Sequence, residues 1–69
     1  MIVIVTVNGD DREFPADATV ADVAGALGVA MARGVAVAMD GEVVPKGEWG
    51  ARTLTPGARI EVLTAIQGG

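Results

Sequence analysis

The sequence predicts an α+β domain, a mixed sheet of four to five strands crossed by one helix. Three observations lead there. The chain opens on Ile2-Val3-Ile4-Val5-Thr6-Val7, a run of β-branched residues that favour extended backbone. Val20, Val23, Ala24 and Leu27 recur at i, i+3, i+4 and i+7, the spacing of an amphipathic helix. Two turn pairs, Asn8-Gly9 and Asp40-Gly41, each follow an apolar run and mark hairpins.

Residues 1–7 form the first strand. Ile2 to Val5 are apolar on both alternating faces, which suits an interior strand better than an edge. Asn8 and Gly9 tolerate positive φ, Asp10 and Asp11 bond local amides, and residues 12–14 return as a short strand ending at Pro15. Thr19 is placed as a helix N-cap. Its hydroxyl accepts from the Asp22 amide, and the Asp22 carboxylate suits the positive end of the helix dipole. Gly28 is placed just past the helix end. Residues 29–34 are a connector of unassigned structure. Residues 35–39 form the next strand, which turns at Asp40-Gly41 into residues 42–44. An irregular segment follows over 45–50 with Trp49, the only tryptophan, expected to close one end of the core. Lys46 is read as a solvated surface lysine. Thr55-Pro56-Gly57 turns the chain into a last strand over 59–65.

The residue inventory excludes much chemistry. The 69 residues contain no cysteine, histidine, serine or tyrosine, and one lysine, Lys46. Nucleophilic Ser-His or Cys-His pairs are ruled out, as are metal sites built on Cys or His. Asp10, Asp11 and Glu13 crowd one turn, where like charges signal solvation rather than acid–base work. The net charge of −4, with Arg12, Arg33, Arg52 and Arg59 scattered, argues against nucleic acid. It suits a basic docking face on a protein partner. The first apolar run is too short to cross a bilayer, and no basic leader precedes it, so no membrane association and a cytoplasmic setting are expected. With no disulfide to staple it, a domain of this size has a narrow stability margin that partner binding would widen.

One domain over 1–69 is expected, with a flexible C-terminal tail over 66–69. Hairpin, helix, strand, short strand, loop and strand is the order of a β-grasp domain, with the first and last strands adjacent at the centre. A ferredoxin-like alternative needs a second amphipathic helix, which the sequence lacks. In the last strand, Ile60 and Val62 are expected to face the helix with Val23 and Leu27. Glu61, Leu63 and Ala65 then point to the open face of the sheet. Leu63 and Ala65 beside Val3 or Val5 would form an apolar patch suited to partner docking.

Several motifs carry a family resemblance. They are the Asn8-Gly9 turn, Val35-Ala36-Val37-Ala38-Met39-Asp40-Gly41-Glu42-Val43-Val44-Pro45, then Glu48-Trp49, Pro56-Gly57-Ala58-Arg59-Ile60-Glu61-Val62 and the closing Gln67-Gly68-Gly69. With them the chain resembles the ubiquitin-like sulfur carriers of the ThiS/MoaD family, most closely those of thiamine biosynthesis. The family more often has Asn at position 40 and an acidic residue at position 58, and the connector 29–33 is unusually apolar here.

The resemblance implies a carrier that binds no cofactor and is no enzyme itself. A ThiF-like adenylyltransferase would use ATP and Mg²⁺ to activate the Gly69 carboxylate as an acyl-adenylate. A persulfide donor would then leave a thiocarboxylate there, which supplies sulfur to a ThiG-like thiazole synthase. Ile66, Gln67 and Gly68 would thread the tail into those partners, and 66–69 spans about 13 Å when extended. Three alternatives stay open at this stage: a molybdopterin synthase small subunit, a ubiquitin-like modifier, and a plain binding module.

Overall fold

A computed structural model describes residues 1–31 and 33–64. Its elements are β1 (Ile2–Val7), β2 (Asp10–Pro15), α1 (Val20–Ala26), β3 (Val35–Met39), β4 (Glu42–Val44), a 3₁₀ turn (Lys46–Glu48) and β5 (Arg59–Thr64). They form one five-stranded sheet in the order β2-β1-β5-β3-β4. Only β1 and β5 are parallel, pairing Thr6 with Arg59 and Val7 with Ile60. The β-grasp arrangement expected from the element order is present, with first and last strands side by side.

Both predicted hairpins form. Asn8 and Gly9 have φ of 52° and 88°, and Asp40 and Gly41 have 52° and 84°. Two successive positive φ values make a type I′ turn, whose twist matches that of the flanking strands. The second strand is longer than the expected 12–14, because β1–β2 pairing begins at Val7 with Asp10 and runs to Ile2 with Pro15. Pro15 fits there because β2 is an edge, where no neighbour needs its missing N–H.

Helix α1 has seven residues, too few for an isolated helix to persist in water. Its ends and its buried face therefore carry it. Thr19 and Asp22 form a capping box, in which the Thr19 N–H donates to Asp22 Oδ2 at 2.8 Å. The Val20 N–H donates to the Arg52 carbonyl at 2.9 Å and the Ala21 N–H to the Trp49 carbonyl at 3.0 Å. At the other end Gly28 adopts φ 74°. Its N–H reaches the Gly25 carbonyl, and that of Val29 reaches Ala24, each at 3.0 Å. This is a Schellman stop, and it confirms the role assigned to Gly28.

Val20, Val23 and Ala24 are fully buried against Val5, Val37 and Ile60 in one core. Fully burying such side chains contributes about 1.5–3 kcal/mol each, with Ala less. Leu27 is half-buried at the rim, and Val29 and Ala30 of the unassigned connector also pack against the core. Trp49 closes one end as expected: it is buried, and its indole Nε1–H donates to the Val44 carbonyl at 2.9 Å. Lys46 is exposed, and its Nζ also lies 5.7 Å from the centroid of the Trp49 ring. Among the described residues no helix is long and apolar enough to cross a membrane.

Candidate functional site

The sheet has one face under α1 and one open face, and strand alternation sorts the candidate residues between them. On β5, Ile60 and Val62 are buried while Glu61 and Leu63 are exposed, as the sequence suggested. On β1 the assignment needs correction. Val3 and Val5 are 7% and 1% exposed, so they belong to the core and cannot dock a partner. Ile2 and Ile4 are the β1 residues on the open face, 56% and 49% exposed. The reason is register. Val7 lies beside Ile60, which faces the helix, so Val5 and Val3, two and four positions back, face it too.

Register also separates Leu63 from β1. In the parallel pair, Thr6 lies at the level of Arg59. Ile4 is two positions before that level and Leu63 four beyond it, so they stand about 20 Å apart along the strands. Leu63 has other neighbours. It pairs with Ala36 of β3, and one step along, Glu61 pairs with Ala38, which in turn pairs with Val43 of β4. Leu63 and Val43 are 68% and 67% exposed. The open face thus carries an apolar patch of Leu63, Ala36, Ala38 and Val43, with Glu61 set among them. A smaller patch, Ile2 and Ile4, lies at the other end, where Ile4 pairs with Glu13 and Ile2 with Pro15.

The Leu63 patch sits where β5 runs out toward residues 65–69. Of the other candidates, Ala65, Ile66, Gln67, Gly68 and Gly69 lie outside the described residues. Among those described, no three His, Cys, Asp or Glu side chains are grouped to hold a metal ion. No buried side-chain nitrogen or oxygen among the described residues lacks a hydrogen-bond partner.

Three residues of this surface carry no sequence signal for it. In the sequence Val43 and Ala36 read only as strand residues, and Asn8 only as a turn residue. Asn8 bonds Val62 with both ends of its side-chain amide, with Oδ1 accepting at 2.8 Å and Nδ2 donating at 3.2 Å. The positive φ expected of Asn8 gave no hint of that reach.

Comparison with known proteins places this geometry. The model of the ThiS family matches residues 5–69. A crystal structure of the thiamine biosynthesis protein ThiS from Geobacter metallireducens superposes with a TM-score of 0.76 at 32% identity, covering 97% of this chain and 100% of that one. A thiazole synthase from Paramagnetospirillum magneticum is 38% identical over 63 residues, 91% of this chain. The chain spans only 19% of that relative's length. The family match over residues 5–69 and the shared β-grasp body agree: the chain belongs to the ThiS family.

Proposed function

We propose that this chain is a sulfur carrier for assembly of the thiamine thiazole, acted on by partner enzymes rather than catalysing a reaction itself. The observation that carries the reading is the family match running through Gly68-Gly69 on a chain with no cysteine, histidine or serine. With no cysteine thiol to carry it, sulfur has a rational place on the Gly69 carboxylate.

The chemistry follows from the carboxylate's weakness as an electrophile. One Gly69 oxygen attacks the α-phosphorus of ATP on a ThiF-like adenylyltransferase, and pyrophosphate departs. Mg²⁺ on that partner offsets phosphate charge. The acyl-adenylate carries AMP, a good leaving group. A persulfide sulfur on a donor protein attacks the acyl carbon and expels AMP. A thiol then cleaves the resulting S–S bond, which leaves a thiocarboxylate on Gly69 and a disulfide on the donor. The thiocarboxylate is a soft nucleophile suited to sulfur transfer at a thiazole synthase. That partner is favoured because a relative of this chain bears that name over a longer sequence. ATP supply fits a cytoplasmic setting.

In this reading the patch of Leu63, Ala36, Ala38 and Val43 is the docking surface, and Ala65, Ile66, Gln67 and Gly68 lead from it to Gly69. Glycines at the last two positions let a thin strip of backbone enter a narrow cleft. Intact mass after incubation with a ThiF-like enzyme, ATP and a sulfide source tests the proposal. The expected products are first an adenylyl adduct and then exchange of one oxygen for sulfur, both absent when Gly68-Gly69 is deleted. A full-length chain that gains neither would sink the carrier reading.

A further inference from the structure

Strand β1 pairs with β5 only as far as Val7 and Ile60, yet β5 continues to Thr64. The ladder between them includes the Thr6 N–H to the Ala58 carbonyl at 3.0 Å and the Asn8 N–H to the Ile60 carbonyl at 2.9 Å. Strand alternation aims the N–H and C=O of Val62 toward the same side. There the main chain of β1 has already turned away through Asn8-Gly9. The Asn8 side chain meets both groups, Oδ1 accepting the Val62 N–H and Nδ2 donating to the Val62 carbonyl. One amide thus supplies the acceptor and the donor that a further residue of β1 would have offered.

The position makes two demands. The backbone holds φ 52°, which Asn and Gly tolerate better than most residues. The side chain must present a donor and an acceptor together. Glycine meets only the first demand, and aspartate meets the first and half of the second. Asn8 is the chain's only asparagine, and it stands where both demands coincide.

We propose that Asn8 is a positioning residue for the C-terminal tail: its amide fixes the end of β5 at Val62 and so sets where residues 65–69 start from. The consequence for activation rests on the carrier reading above. Leu63 lies one residue beyond the clamp and belongs to the docking patch, so loosening Val62 disturbs the patch and the root of the tail together. A partner then binds only the fraction of carriers whose strand end is in place. That lowers apparent affinity and leaves the bound reaction unchanged.

The test compares Asn8→Gly and Asn8→Asp with the wild type, using amide hydrogen exchange on the free protein and steady-state adenylylation. In Asn8→Gly the Val62 amide should exchange roughly two- to tenfold faster relative to amides of the β3–β4 hairpin, the range one lost hydrogen bond represents. KM for the carrier should rise by the factor by which the closed fraction at Val62 falls, with kcat within about twofold. Asn8→Asp, which keeps the acceptor, should fall between and guards against a poorly folded glycine variant. Unchanged exchange at Val62, an equal rise at every amide, or a fall in the closed fraction at Val62 with unchanged KM would each overturn the proposal. If the wild type is never adenylylated, the carrier reading fails separately. The ¹⁵N order parameters of Leu63 and Thr64 then decide: a fall in Asn8→Gly supports the clamp, and no change overturns it.

Discussion

The indole N–H of Trp49 donates to the main-chain carbonyl of Val44 at 2.9 Å, and both residues are buried. The bond fastens the segment after β4 to the end of the sheet. That same segment caps α1, since the Trp49 and Arg52 carbonyls accept from Ala21 and Val20. One aromatic residue therefore joins sheet end, loop and helix start.

Trp49→Phe removes the donor, leaves the Val44 carbonyl unpaired and opens space at the core's edge. The expected cost is about 2–4 kcal/mol. Urea unfolding followed by circular dichroism measures it, since the substitution also removes the only tryptophan. A loss under about 1 kcal/mol would show that the indole is not the fastening described.

The register of β1 against β5 is tested by two neighbours on one strand. Val5→Ala should cost about 1.5–3 kcal/mol, because Val5 is 1% exposed. Ile4→Thr should cost less than about 1 kcal/mol, because Ile4 is 49% exposed and Thr keeps the β-branch. The reverse ranking would place β1 the other way round in the sheet.

Docking at the Leu63 patch is separable from docking at Ile4. Leu63→Asp should leave stability within about 1 kcal/mol and raise the KM for adenylylation roughly tenfold, since an unpaired carboxylate would be carried into an apolar contact. Ile4→Thr, some 20 Å away along the strands, should leave KM within about twofold. Equal effects from both substitutions would refute a docking surface confined to the tail end of the sheet.

Asp40 ties the second hairpin to β5: its Oδ1 accepts the Arg59 N–H at 2.9 Å, and its own N–H donates to the Arg59 carbonyl at 2.8 Å. Asp40→Asn keeps both the acceptor and the tolerance for positive φ, so stability should hold within about 0.5 kcal/mol. Asp40→Ala loses both and should cost about 2 kcal/mol. Thermal melts of the pair would show the difference, and equal melting temperatures would disprove the tie.

Most of the scaffold was legible because its signals are local. Asn8-Gly9 and Asp40-Gly41 announce type I′ turns through backbone preference alone, and Gly28 marks the helix stop in the same way. The helical stripe from Val20 to Leu27 and the single β-grasp element order needed no long-range information. On β1 the sequence is silent about facing, because Ile2, Val3, Ile4 and Val5 are all large, apolar and β-branched. A period of two with no polar member has two equivalent phases, and the wrong one put Val3 and Val5 on the docking face.

The sequence by itself determined the element types, the turns and the chemistry the chain is unable to perform. Its closing motifs also pointed to the family. Tertiary structure alone decided which β1 residues are core and which residues surround Leu63. It also decided that Asn8 reaches Val62, 54 positions away. The physical reason is common to all three. Each depends on the register of β5 against its neighbours, β1 on one side and β3 on the other. Local preference fixes the shape of each strand but carries no measure of how far one slides against the other.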